Sequence, residues 1–162
     1  SDRLAVFCNG KVEQVGSPLD VYNRPVNRFV GEFIGDSNFF AGRIDTSRPG
    51  SIELAGIGPV RVAADAAPPS GAVDVMIRPE RLRLCAAGDS GGTDNTLSMT
   101  VDDVINYGDS ILVIGTTNGL PLRARLMGRQ MGGQGEPPTH GATLTLAWAP
   151  QDAHVLPRAS GP

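Results

Sequence analysis

Arg78, Arg81 and Arg83, with Glu80 among them, form a dense group whose charge and spacing could do chemistry. Guanidinium groups take oxyanions through forked, bidentate hydrogen bonds, so three of them around one turn suggest an anion site. Arg78 and Arg81 flank Pro79-Glu80, and Arg83 stands one strand step beyond Arg81 on the same face. A structural clasp is the preferred reading of the same residues. In it, Arg78 and Glu80 pin a tight turn through side-chain-to-backbone hydrogen bonds and a bidentate ion pair.

The other candidates are poorer. Asp102-Asp103 is the only adjacent pair of carboxylates. On a strand, neighbours point to opposite faces and cannot share a proton or a metal. His140 and His154 each lie beside a loop without partners at metal-ligand spacing. The glycine-rich run Gly128 to Gly135 is followed by no lysine or hydroxyl, and Pro137-Pro138 behind it prevents a helix N-terminus that could hold phosphate. It reads as a loop, as does Ala86 to Asn95. No phosphate-binding G-x-x-x-x-G-K-[ST] loop and no nucleophile elbow is present. Arg123 and Arg125 alternate with apolar residues and read as outward edge charges. The expectation is a protein without a catalytic residue, resident cofactor or metal.

Composition points the same way. The chain has 162 residues, 14 basic and 17 acidic, for a formal charge of −3. A nucleic-acid binder needs a basic stripe and aromatic platforms, whereas one Trp, two Tyr and five Phe are all the aromatics here. A polypeptide this long buries roughly two thirds of its unfolded surface. Its 21 Gly and 13 Pro suit many short strands joined by turns. Cys8 and Cys85 sit in alternating runs and read as buried or half-buried free thiols in preference to a disulfide between them. No apolar run approaches the roughly 20 residues of a membrane span, so direct membrane insertion is not expected.

The elements that would position these groups follow from local pattern. Asn9-Gly10, between Leu4–Cys8 and Lys11–Val15, predicts a type I′ hairpin. Ser17-Pro18-Leu19-Asp20 opens a short helix that Pro25 ends. Phe29, Val30, Phe33 and Ile34 give a second short helix one apolar face, with Gly35 as its stop. From Asn38 the period changes to two. Strands are predicted at Phe39–Ile44, Ser51–Leu54, Val60–Ala63, Val73–Arg78, Arg81–Cys85, Leu97–Tyr107, Ser110–Thr116, Pro121–Leu126, Thr143–Trp148 and His154–Leu156. Val73, Val75 and Ile77 mark a strand with one buried face. The fold class is therefore mainly β: a small OB-like barrel over residues 36–162, preceded by a hairpin and two short helices over residues 1–35.

In this order, the pieces resemble the C-terminal end of the ATP-hydrolysing subunit of an ABC importer of the maltose, polyamine or ferric-iron type. The Asn9-Gly10 hairpin is similar to the last strands of the family's nucleotide-binding domain. Pro18 to Pro25 and Phe29-Val30-Gly31-Glu32-Phe33-Ile34-Gly35 are similar to its linker helices. Asp36-Ser37-Asn38-Phe39-Phe40 leads into a TOBE barrel whose core motif resembles Arg78-Pro79-Glu80. Val104 to Asp109, Leu144 to Pro150 and His154-Val155-Leu156 resemble later strands of that barrel.

The resemblance implies that this stretch begins just after the catalytic part and steadies a dimer rather than catalysing. It implies a parent that uses ATP and magnesium, pairs with a second copy, and drives permease subunits from the cytoplasmic side of the inner membrane. Such a segment would expose Val6, Phe29, Phe33 and Ile34, and alone would pair as a homodimer or a domain-swapped pair. The competing readings are an oxyanion- or solute-sensing barrel built on the arginine cluster, and an OB-type nucleic-acid binder disfavoured by the acidic balance.

Overall fold

The computed structural model of the protein describes residues 3–85, 94–128 and 137–158. Leu4–Cys8 (β1) and Lys11–Gly16 (β2) pair antiparallel around Asn9-Gly10. Both turn residues take positive φ, 52° and 79°, as a type I′ turn requires. Ser17 caps Pro18–Asn23 (α1) by accepting from the Asp20 amide at 3.1 Å. Asn27 caps Arg28–Ile34 (α2) by accepting from the Val30 amide at 2.9 Å. Gly35 ends α2 in extended backbone, with φ −178°, rather than in a left-handed cap.

Among the described residues ten strands follow: Asn38–Ile44 (β3), Ser51–Leu54 (β4), Gly58–Arg61 (β5), Ala72–Ile77 (β6), Arg83–Cys85 (β7), Asn95–Asn106 (β8), Ser110–Thr117 (β9), Leu120–Met127 (β10), Thr143–Trp148 (β11) and His154–Pro157 (β12). They make two antiparallel five-stranded sheets, ordered β12-β6-β3-β4-β5 and β10-β9-β8-β11-β7. The facing sides enclose one core, in which Trp148, Ile52, Leu54, Leu82, Met99 and Leu146 are fully buried.

Two buried asparagines close the seams between the sheets. Asn38 donates to Arg123 O (2.9 Å) and accepts from Arg123 N (2.8 Å). Asn95 donates to Arg61 O (2.8 Å) and accepts from Arg61 N (2.8 Å). Each side-chain amide mimics a peptide group and satisfies an edge strand that would otherwise present bare donors and acceptors. The barrel expected from the sequence is thus present, with its hairpin and two helices.

The structure departs from the sequence reading at four places. The strand expected over Val60–Ala63 lies two residues earlier, at Gly58–Arg61. Pro79–Arg81 form a 3-10 turn, so the strand expected from Arg81 starts at Arg83. Proline at the turn's first position fixes φ and lacks the N–H that a strand pair would use. β6 is buried on both faces, because α2 lies on its outer side. A Cβ added at Gly31 would stand 3.0 Å from Phe39 Cζ and 3.2 Å from Met76 Sδ, so the missing side chain is what permits this close approach.

The fourth departure concerns the apolar residues of the N-terminal unit. Val6 is 1% exposed and forms a second small core with Val21 and Val30, against which Leu4 and Ile34 pack. Phe29 and Phe33 stay outside, stacked with ring centroids 6.0 Å apart. The two-turn helix offers one row to this core, Val30 and Ile34, and its neighbouring row to solvent. Of the expected loops, residues 86–93 and 129–136 lie outside the described residues.

Candidate functional site

Arg78 follows β6 and is 3% exposed. A buried guanidinium is costly unless its N–H groups find acceptors. The acceptors here are main-chain carbonyls of the two helices and the segment after them. Nη1 donates to Gly31 O (3.1 Å), Gly35 O (3.0 Å) and Asp36 O (3.1 Å), and Nη2 donates to Tyr22 O (2.7 Å). Tyr22 and Gly31 each belong to the last four residues of their helix, whose carbonyls have no partner within it. A cation there also meets the negative end of each helix.

Tyr22 completes the clasp. Its ring lies under the guanidinium, 4.0 Å from centroid to Cζ, and its hydroxyl donates to Glu80 Oε2 at 2.5 Å. Burial, followed by the hydrogen bond and charge of Glu80, pushes the phenol up to about 12. Burial pulls the Arg78 guanidinium below its ordinary value, while Tyr22, Glu80 and Asp36 oppose that shift. Glu80 thus engages Tyr22 instead of forming the ion pair with Arg78 expected from their spacing. Arg78 clasps the backbone of the helices and not that of its own turn.

The other two arginines of the group go elsewhere. Arg81 faces Asp152 at 3.5 Å, and Arg83 forms an ion pair with Asp94. The sequence puts the three guanidinium groups near one turn, whereas the fold sends each to a different partner. Arg123 and Arg125 are on the outward face of β10, as their alternation predicts. Arg123 approaches Asp36 at 3.6 Å, and Arg125 lies over the Tyr107 ring at 5.0 Å.

A cleft of about 590 Å³ separates the end of α1 from the barrel and is lined by Arg24, Asp65, Met76, Arg81, Asp152 and His154. His154 Nε2 donates to Pro25 O at 2.9 Å, a second tie between helices and barrel. Burial lowers its pKa, the Pro25 bond opposes this, and the cations Arg24 and Arg78 lower it further. His140 is elsewhere, with Nδ1 3.0 Å from Asp102 O. A bulge between Val101 and Asp103 breaks the alternation on which the reading of Asp102-Asp103 relied, and leaves both side chains exposed. Among the described residues, no group of three His, Cys, Asp or Glu could hold a metal. Cys8 and Cys85 are half-buried free thiols.

The hairpin is bare on one side. Ala5 faces Val15 and Phe7 faces Val12 across β1 and β2. Phe7, Val12 and Val15 are 59%, 54% and 47% exposed, and Phe33 on α2 is 67% exposed. The two-stranded sheet is therefore apolar on both faces but covered on one.

Comparison with known proteins accounts for this arrangement. The family model described as "TOBE domain" matches residues 75–156, half of the chain. The chain is 39% identical over 139 residues to "Spermidine/putrescine import ATP-binding protein PotA 1" of Pseudomonas aeruginosa, covering 76% of this chain and 36% of that protein. It is 30% identical over 169 residues to the protein of Frankia alni named "Spermidine/putrescine import ATP-binding protein PotA", covering 97% of this chain and 36% of that one. The chain thus spans about a third of the length of these relatives. Among solved structures, the cytoplasmic molybdate-binding protein ModG aligns with a TM-score of 0.54 and 14% identity, over 75% of this chain and 96% of that one. That likeness concerns the fold. With the family match, the barrel and the helices clasped to it, the chain belongs to the TOBE-domain family, in the form that accompanies the ATP-binding subunits of ABC importers.

Proposed function

We propose that this protein is the coupling and assembly domain of an importer's ATP-hydrolysing subunit serving uptake of a polyamine or a similar small solute. The observation that carries the reading is the exposure of Phe7, Val12 and Val15 on the hairpin and of Phe33 on α2, in a unit that Arg78 ties to the barrel. An isolated two-stranded hairpin is marginal in water, and one with two apolar faces calls for a second covering body. In the relatives, about two thirds of the length lies outside the matched region. An ATPase domain in that remainder is the covering body this reading assigns. Residues 1–35 then act as the tail end of the nucleotide-binding domain and its linker helices, and residues 36–162 as regulatory barrel. ATP and magnesium would belong to the ATPase domain, and a second copy and the permease subunits would complete the assembly on the cytoplasmic side of the inner membrane.

The test is a chimera. Joined to the remainder of the Pseudomonas aeruginosa relative in place of the matched region, this segment should restore ATP-driven spermidine uptake to cells lacking that subunit. Replacing Phe7 and Phe33 together by Asp should abolish uptake while leaving the barrel folded. ATP hydrolysis by the 162 residues alone, or a folded chimera that supports no uptake, would contradict the reading.

An oxyanion sensor is the weaker alternative. Its support is the shape shared with a molybdate-binding protein, and the three arginines that would serve it are engaged separately. Titration calorimetry with molybdate and sulfate should register no binding heat.

A further inference from the structure

Two Asn-Gly dipeptides occur in the sequence, Asn9-Gly10 and Asn118-Gly119, each at the tip of a hairpin and each with both residues at positive φ. This pair of residues is chemically labile. The Gly nitrogen can attack the Asn Cγ, forming a five-membered succinimide. The new bond from the Gly nitrogen to Cγ replaces the bond from Cγ to Nδ2, and ammonia leaves with the proton of the peptide N–H. Water then opens either carbonyl of the ring to give aspartate or isoaspartate. The two steps need no reagent beyond water, and glycine offers no side chain to obstruct the attack: a Cβ built at Gly10 or at Gly119 would meet nothing within 4 Å.

Ring closure requires the asparagine to leave its left-handed turn conformation, so the rate depends on how often each turn opens. Opening follows local stability, and the two tips differ in it. Asn118 Nδ2 donates to Gly56 O at 3.0 Å, which ties its tip to the turn between β4 and β5. Its hairpin pairs continuously from Leu120↔Thr117 to Met127↔Ser110 inside a five-stranded sheet. Asn9 is exposed, and its side chain has no hydrogen-bond partner among the described residues. Its hairpin is a separate two-stranded sheet whose register slips between Val6 and Phe7.

We infer that Asn9 is a site of spontaneous covalent modification, converting to aspartate and isoaspartate in the native protein, whereas Asn118 is protected by the fold. The isoaspartyl product routes the backbone through the asparagine's own side chain and adds one backbone atom to a two-residue turn. A type I′ turn cannot absorb that atom without shifting the pairing of Phe7 with Val12. Modification at Asn9 therefore disorganises the apolar face of the hairpin and leaves the barrel intact.

The experiment incubates the 162-residue protein at 37 °C and mildly alkaline pH, with and without urea, and follows both asparagines by peptide mapping. Conversion is read as a gain of about one mass unit, and isoaspartate as methyl transfer by an isoaspartyl methyltransferase. In urea the two sites should convert at similar rates, since each is an asparagine followed by glycine. In the native protein Asn9 should convert at least tenfold faster than Asn118, and N118S should leave the Asn9 rate unchanged. Equal native rates, faster conversion of Asn118, or an Asn9 that stays intact while the urea sample reacts fully would each overturn the inference.

Discussion

Asn38 and Asn95 perform the same task at opposite seams of the barrel, each exchanging a donor and an acceptor with the backbone of an edge strand in the other sheet. Both side chains are buried, so truncation leaves an N–H and a C=O of Arg123 or Arg61 without partners. Losing such a pair costs about 1–3 kcal/mol. Asn38→Ala and Asn95→Ala should each lower stability by about 2 kcal/mol in urea unfolding, and the double variant should be additive because the seams share no partner. Loss of under about 0.5 kcal/mol in either single variant would show that solvent replaces the clamp.

Arg78→Lys should not behave as a conservative change. An ammonium has three donors on a compact head, whereas the guanidinium spans four carbonyls and lies flat on Tyr22. The variant should lose about 3 kcal/mol, by the scale of charge-assisted hydrogen bonds. Hydrogen exchange checks where the loss falls: the amides of α1 and α2 should lose protection while those of β8, β9 and β10 keep theirs.

The His154 junction should weaken in acid. Burial between Pro25 and the cations Arg24 and Arg78 lowers the folded-state pKa, so the neutral ring is the form the fold favours. Its contribution is complete above the unfolded value of about 6.5 and is lost as pH falls through the lower folded value. Asp65, Arg81 and Asp152 line the same cleft. His154→Gln keeps an N–H for Pro25 O without titrating, so its melting temperature should change less than wild type between pH 7 and pH 5. Parallel pH curves for the two proteins would assign the acid response to the carboxylates.

Gly31 sets two effects against each other. Alanine would gain about 1 kcal/mol in helix propensity. Its Cβ would stand 3.0 to 3.3 Å from Phe39 Cζ, Met76 Sδ and Pro25 Cγ, and overpacking of that kind costs about 1–3 kcal/mol. Arg28 lies over the Phe39 ring at 4.8 Å and limits its retreat. Packing should win, with Gly31→Ala destabilising by about 1 kcal/mol and Gly31→Val by more. Thermal melts of the two variants, read with their α2 exchange rates, test the order.

The fold was legible wherever alternation or turn chemistry was local. Leu122, Ala124 and Leu126 point in, Arg123 and Arg125 point out, and Asn9-Gly10 turns as its residue types demand. What could not be read was set by contacts distant in sequence. Asp74 and Met76 fall on the polar side of a local pattern, yet α2 covers them. Arg78 was visible as a candidate clasp, but its partners lie more than 40 residues away in the helices. Tyr22 carried no local signal. Asn38 and Asn95 did carry one: a polar residue at an inward position of an alternating strand needs a partner, and here that partner is an edge. Val6 was misplaced because a hairpin has two sides and the sequence does not say which of them its own helices cover.

The single tryptophan sits wholly inside the barrel, and the hairpin with its helices has none. Indole emission will therefore report melting of the barrel and remain silent while the N-terminal unit opens. Fluorescence set against far-ultraviolet dichroism can time the two events separately in the unlabelled protein, without an introduced dye.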